Sequence, residues 1–373
     1  MRKAFKYRIY LTKGQQRILE QQLEECRWVY NKLLAERKRA YEERGESLRK
    51  YDTLNLLPIW KLTRPSMKLV HSQVLQNIGI RVDLAFQAFF RRVKEGAAEV
   101  GFPRFKGFGR YDSVTYPQYG NGVRLEGARL ILSKMVGAVA IVLHRPVEGT
   151  PKTVTLTRSR TGKWFACFSC ETEVEPLPLT TARVGVDVGL ASFATFSDDT
   201  PPIPNPRFYR RDEADLKRVQ QRKDAAKLAQ DWPENAKQKG ILAKIHERIA
   251  NRRSDFAHKE SRKLINAYGL IVCEDLAPQE MGAKSSRGMR KSILDVAWSM
   301  FICMTVAKAE EAGRQVILVN PRNTTKMCSH CGKLVVKTLR DRTHSCPYCG
   351  LVMDRDKNAA INILQRGLQT LRP

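Results

Sequence analysis

The sequence predicts two folding units: a small β-barrel with helices inserted after its first strand, and an α/β layer that carries a zinc ribbon near its end. Periodicity, the alternation of elements and cysteine spacing lead there. A period of two at residues 5–11 gives way to helical spacing, then to short apolar runs between 120 and 172. Beyond residue 181, strand-like apolar runs alternate with helical stretches, the pattern of an α/β layer. Two Cys-x-x-Cys pairs follow, at 328/331 and 346/349. A chain of 373 residues has room for two to three domains at roughly 100–200 residues each.

In order along the chain, Phe5, Tyr7, Ile9 and Leu11 fall on one face of a half-solvated strand. From Lys13 to about Gly45, Ile18, Leu19, Leu23, Cys26 and Tyr30 recur at helical spacing. A second helical stretch over about 67–95 carries Val70, Val74, Ile78, Leu84, Phe86 and Phe89. Gly101–Gly107 then breaks the helix and interleaves aromatics with cations. The apolar runs Gly122–Leu125, Leu130–Leu132, Ala138–Leu143, Thr153–Leu156 and Trp164–Cys170 are separated by Gly, Pro and basic turns, as strands of a small barrel are. A linker, Glu175–Thr181, closes this half. In the second half, Val184–Val188 and Ser192–Phe196 predict a hairpin of buried strands, followed by a long basic helical region over about 212–266, broken near Trp232-Pro233. Leu270–Cys273 and Val316–Val319 are further buried-strand runs, with an amphipathic helix at about 294–312 between them.

Composition narrows the function classes. Sixty-six Lys and Arg against thirty-eight Asp and Glu leave a net charge of +28. Such a field repels itself in the compact state and is ordinarily neutralised by a polyanion. That excludes an ordinary metabolic enzyme as first choice, and a hydrophobic content of 42% excludes a disordered basic tail. Membrane binding is the weaker reading. The longest apolar run read off the chain, Met135–Leu143, is far below the ~20 residues of a span. The basic start is followed by Ala4–Leu11, too interrupted by cations for a signal peptide. Nine cysteines, an odd number, argue for a reducing, cytoplasmic setting and for metal chemistry over disulfides.

Cys328, Cys331, Cys346 and Cys349 enclose residues 332–345, and Gly332 and Gly350 follow the two knuckles. Four thiolates at this spacing suit tetrahedral zinc, and with every position filled the ion is structural. His330 and His344 read as surface residues. Cys167 and Cys170 are also spaced Cys-x-x-Cys, but in a strand they face opposite ways and read as core.

Three separated acids stand out. Asp187 sits inside an apolar strand between Gly185 and Gly189, where a buried carboxylate needs a partner such as a metal. Glu274 ends another buried-strand run, and Asp354 and Asp356 open a helix after the ribbon. Strand-borne acids that converge with one from a helix N-terminus can hold two divalent ions about 3.5–4 Å apart for phosphodiester hydrolysis, and oxygen ligands favour Mg²⁺ or Mn²⁺. Each acid alone has a plainer reading: a strand-end turn, a loop acid, a helix cap.

Gly185-Val-Asp-Val-Gly189, Cys273-Glu-Asp-Leu276 and Asp354-Arg-Asp-Lys-Asn-Ala-Ala-Ile-Asn-Ile363 resemble the three motifs of a RuvC-like nuclease. With the ribbon just before the third motif, the chain resembles the transposon-encoded TnpB proteins, relatives of compact type V CRISPR effectors. Arg253–Lys259, Asn323–Gly332, Tyr7–Tyr10, Val29–Asn31 and Gly101–Lys106 are similar to that family's other signatures. The resemblance implies an RNase H-like (RuvC) nuclease domain over 181–320 and 351–373 and a zinc ribbon over 321–350. It also implies a β-barrel wedge over 1–180 with a helical recognition insert at about 13–100. It implies a guide RNA, a double-stranded DNA target and catalysis by Asp187, Glu274 and Asp356. The pattern Asp-x-Asn-x-Ala selects Asp356 over Asp354, which is left as a cap. On this reading the protein is an RNA-guided, divalent-metal-dependent DNA endonuclease; the alternatives are a catalytically silent RNA-guided binding protein and a transposase accessory protein. Lys244, Arg248 and Arg252 recur every four residues on one face of the basic helix and, with Arg253, are expected to contact phosphates. Gly282–Lys291, rich in Gly, Ser and cations, reads as a mobile lid. Trp28, Phe102 and Phe105 can stack on bases, although core packing is the plainer use.

Overall fold

The computed structural model describes residues 1–373 apart from 98, 175, 339, 340, 372 and 373. The first linker residue, Glu175, lies outside the described residues. Two compact units result, Met1–Glu173 and Val174–Pro373.

In the first unit, β1 (Arg2–Tyr10) buries Phe5, Tyr7 and Ile9, the face its alternation predicts. Then comes α1 (Lys13–Arg44), opened by a reciprocal cap between Thr12 and Gln15 and ended at Gly45. Two short helices, α2 (Lys50–Leu54) and α3 (Leu56–Thr63), precede α4 (Ser72–Lys94). The remaining elements are β2 (Ser113–Tyr116), β3 (Val123–Glu126), β4 (Arg129–Leu132), β5 (Val139–Val142), β6 (Thr150–Arg158) and β7 (Trp164–Glu171). They form one antiparallel sheet in the order β2-β6-β7-β1-β5-β4-β3. In hydrogen bonds the expected barrel is open, because β2 and β3 end the order without pairing each other. The apolar face is closed by helix instead: Leu19, Cys26 and Leu33 of α1 and Leu75, Ile78 and Val82 of α4 share one core with Phe5, Tyr7 and Phe168. Arg81 of α4 donates to Thr115 at 2.6 Å, covering the β2 edge. In β7 Cys170 faces the core, whereas Cys167 is on the opposite face and only half-buried.

The second unit opens with β8 (Arg183–Val188), β9 (Ser192–Phe196) and β10 (Ile203–Pro204), then α5 (Phe208–Leu228) and α6 (Trp232–Ala267), separated where the break was expected. The segment read as a linker is bonded into this unit: Leu177 donates to Ala312 at 3.1 Å, and Ala182 accepts from Gly269 at 2.8 Å. After β11 (Leu270–Glu274) come α7 (Pro278–Ala283), α8 (Arg287–Val296), α9 (Trp298–Ala312) and β12 (Gln315–Val319). The chain ends with β13 (Thr343–Ser345), β14 (Val352–Asp354) and α10 (Arg355–Gln369). The sheet order is β10-β9-β8-β11-β12, antiparallel on the β9 side of β8 and parallel on the β11 side. As an edge strand, β12 is less buried than its apolar run suggests, and Leu318 is exposed. Arg287–Ala312 has the length and hydropathy of a membrane span, more than the sequence reading picked out. It is broken at Ala297, φ 58°, and Ile293, Trp298, Phe301 and Ile302 pack in this unit's core.

Strand alternation divides the sheet between two helical layers. Val184, Val186, Ile271 and Cys273 pack with α6 and α9, while Leu270 and Val272 pack with Ile363 of α10. Gly185, Asp187 and Glu274 therefore fall on the α10 face. The helix lies directly on backbone there: a Cβ at Gly185 would stand 2.1 Å from the Ala360 carbonyl oxygen. Gly185→Ala must therefore push α10 off the sheet, costing about 1–3 kcal/mol by overpacking. In Gly240→Ala, the control, the new methyl meets nothing within 4 Å, and the α6 interior gains up to about 1 kcal/mol. Urea melts of both variants check this, and equal stabilities would contradict the packing described.

Candidate active site

Asp187 and Glu274 are brought together by register. Val186 pairs with Cys273 in parallel β8 and β11, so each acid is one residue beyond the same pair, on neighbouring strands roughly 4.8 Å apart and on the same face. Asp187 is 8% exposed and Glu274 7%. Third comes Asp356, in the first turn of α10, where the helix dipole favours a carboxylate. Asp354 is the N-cap, accepting from the N–H groups of Asp356 and Lys357 at 2.8 and 2.9 Å.

The electrostatics show the acids sensing one another. Burial holds the Asp187 carboxyl well above the ordinary range, the charges of Glu274, Asp356 and Asp354 add to it, and Arg355 opposes. No hydrogen-bond donor of the described residues reaches Asp187. Burial also raises Glu274, opposed by the Thr324 hydroxyl at 2.5 Å and by Arg366. Asp356 meets the guanidinium groups of Arg355 at 3.0 Å and Arg342 at 3.6 Å. A buried carboxylate without a donor, sensing the charge of two more, is an arrangement that could hold a divalent cation. Ligand atoms of the three carboxylates do not all lie within 4.8 Å of one another; Glu274 accepts from Thr324, and Asp356 pairs with the two arginines.

The cysteines are drawn tighter. The sulfurs of Cys328, Cys331, Cys346 and Cys349 lie within 4.8 Å of one another, the one such group of potential ligands among the described residues. Cys328–Cys349 and Cys331–Cys346 are each separated by 3.6 Å, near the ~3.8 Å edge of a tetrahedron with 2.3 Å zinc–sulfur bonds. Gly332 (φ 72°) and Gly350 (φ 75°) donate back to Cys328 and Cys346 at 2.9 and 3.0 Å, closing each knuckle. Burial works against charge on Cys346, but the N–H groups of Tyr348 and Cys349 and the neighbouring thiols of Cys349 and Cys331 together outweigh it and lower the thiol to about 7. The donor set fits structural zinc. His344 is buried, not a surface residue: the centre of the three-residue β13 turns it inward opposite Met353, where its Nδ1 meets Lys337.

The basic helix divides. Lys244 is exposed. Arg248 and Arg252 are exposed yet pair with buried Asp212 at 2.7 and 3.2 Å. Arg253 turns inward to Asp295 at 2.6 Å, a carboxylate that also accepts from the Tyr209 N–H at the start of α5. Gly282–Lys291, read as a mobile lid, is largely helical: it spans the end of α7 and the start of α8, with Ser286 capping α8 and Lys291 paired to Glu213 at 2.6 Å. An open groove of about 1090 Å³ lies there, lined by Lys217, Gln220, His246, Arg287 and Lys291. Sequence reading missed a second groove, about 910 Å³, in the first unit. Arg104, Lys106, Arg110, Arg158 and Arg160 line it beside Phe105, which is 54% exposed and not core. Asn31 fixes that loop by bonding both the N–H and the carbonyl of Lys106, at 2.8 and 2.9 Å. The interleaved aromatics and cations of 101–107 were one signal for it; Arg158 and Arg160 are too distant in sequence to join them. Trp28 and Phe102 pack edge-on against Trp60 and Phe86.

Comparison with known proteins follows this geometry. Residues 167–284 match a family described as "Probable transposase", 298–363 a "Cas12f1-like, TNB domain" and 1–46 a "Helix-turn-helix domain", although the last range here is one strand and one helix. A Streptomyces pristinaespiralis protein provisionally named an RNA-guided DNA endonuclease is 34% identical over 99% of this chain and 90% of its own. InsQ of Escherichia coli K12, provisionally named likewise, is 30% identical over 92% and 86%. Among solved structures, the mini-RNA-guided endonuclease CRISPR-Cas phi3 superposes with a TM-score of 0.54 at 10% identity, covering 99% of this chain and 92% of that one, a likeness of fold.

The raised Asp187 carboxyl has a consequence for stability. A folded-state value above the unfolded one contributes stability that is complete below the unfolded value and is lost as pH rises through the folded one. Asp187→Asn should therefore stabilise the metal-free protein, by more as pH rises from about 4 to neutrality. Melting curves without divalent ions at several pH values check this; no difference at neutral pH would contradict it.

Proposed function

The chain belongs to the TnpB family, and we propose that it is an RNA-guided, divalent-metal-dependent DNA endonuclease of a transposable element, built on an RNase H-like (RuvC) domain. The observation that carries the hydrolytic reading is Asp187: a buried carboxylate that no donor of the described residues reaches, its proton affinity raised first by burial and then by Glu274 and Asp356. Mg²⁺ or Mn²⁺, when bound, supplies the charge that activates water and stabilises the leaving oxygen. This chain's part is to hold acceptor oxygens in place. Asp187 and Glu274 present theirs from adjacent rigid strand ends, and Asp356 presents its own from a helix start that Asp354 caps. Burial keeps bulk water from weakening these charges.

The guide RNA and DNA target are proposed as partners on the strength of the relatives' names and the +28 charge. A guide–target duplex is held by its shape and phosphates while base pairing reads sequence. Exposed Lys244 and the two basic grooves suit the phosphates, with Phe105 placed to stack. Arg253, tied to Asp295, serves by holding α8 to α6. The cysteine ribbon, with zinc, completes the nuclease unit.

With its guide and matched DNA, Asp187→Ala should lose cleavage and keep RNA binding; retained cutting would remove this residue from the site. Asp356→Ala should lower the cleavage rate more than Asp354→Ala, which loses mainly a cap, about 0.5–2 kcal/mol of stability. The reverse ranking in single-turnover assays would contradict the assignment.

A further inference from the structure

We infer that Thr324 is a positioning residue for the divalent-metal site, holding the Glu274 carboxylate in its ligating orientation; this rests on the metal-site reading above. Thr324 is 2% exposed, and its hydroxyl is 2.5 Å from Glu274 Oε1 and 3.0 Å from the Pro321 carbonyl. One hydroxyl carries one proton. The shorter, charge-assisted bond to the carboxylate takes it.

The place of Thr324 is itself fixed from α10. Asn362, fully buried, donates to the carbonyls of Thr324 and Met327 at 2.8 and 2.7 Å. Its Oδ1 has no partner among the described residues, so donation alone orients the amide. One turn earlier, Asn358 donates to the Met327 carbonyl at 2.8 Å and accepts from the Ser329 N–H at 3.0 Å. Gln365 and Arg366 continue the same helix face, donating to the carbonyls of Ser329 and Arg322 at 3.1 Å each. The segment that leads from β12 into Cys328 is thus stitched to the helix that carries Asp356. One helix positions one acid directly and a second through Thr324. With Oε1 of Glu274 held by the hydroxyl, the rotation of the carboxylate is restricted and Oε2 is left to the ion. Partners that orient a metal ligand in this way typically change metal affinity ten- to a hundredfold when removed.

The test is Mn²⁺ affinity of the full-length protein without nucleic acid, read by electron paramagnetic resonance of free Mn²⁺, together with melting temperature. Thr324→Val, which removes the hydroxyl and keeps the shape, should weaken Mn²⁺ binding roughly tenfold or more, and Thr324→Ser should restore it. Glu274→Gln is the reference. If it weakens binding while Thr324→Val binds as wild type does, the role of Thr324 is overturned and the metal site stands. If Glu274→Gln also binds as wild type does, the metal-site reading itself fails. Should Thr324→Val not fold, Thr324→Ala replaces it under the same criterion. Equal weakening in the serine variant would mark a packing role and overturn the proposal.

Discussion

The second unit depends on a helix lying against bare backbone. No side chain separates α10 from β8 at Gly185, and Gly367 lets the same helix settle against Val272 on β11. Two strands and one helix are thereby held at the closest spacing available to them. That contact determines where Asp356 stands relative to Asp187 and Glu274. Strand alternation had already turned those two acids to the α10 side, and the helix brings the third over the strand ends. Any residue larger than glycine at 185 would separate the elements that the proposed metal site needs close.

Such an arrangement is electrostatically uneasy, and the unease is informative. Asp187 and Glu274 are buried, both carboxyls are raised by that burial, and Asp187 has no donor from the described residues. A fold optimised only for stability would replace Asp187 by an apolar residue, as at neighbouring Val186 and Val188. Strain of this kind collects at functional sites. The strong basic excess of the chain is the long-range counterpart, since it attracts a polyanion, the substrate class of the proposed function.

Much of this was legible in the sequence because it is local. Two Cys-x-x-Cys knuckles with trailing glycines specify a four-sulfur site within a short span, and the four sulfurs do meet. An acid inside Val184–Val188 announces a buried charge whatever surrounds it. What stayed hidden is what only tertiary contact decides. Arg253 shares the composition of its basic helix, yet α8 supplies Asp295 and draws it inward. His344 has no apolar context in sequence and is buried by the pairing of β13 with β14. Thr324 carries no motif of its own, and its meaning comes from facing Glu274 across fifty residues of chain.

The central claim is that carboxylates far apart in sequence share divalent ions. Anomalous diffraction from crystals soaked in Mn²⁺ measures that directly. The account predicts manganese peaks within bonding distance of carboxylate oxygens of Asp187, Glu274 and Asp356. Peaks confined to other residues, or none at these three despite saturating Mn²⁺, would contradict it.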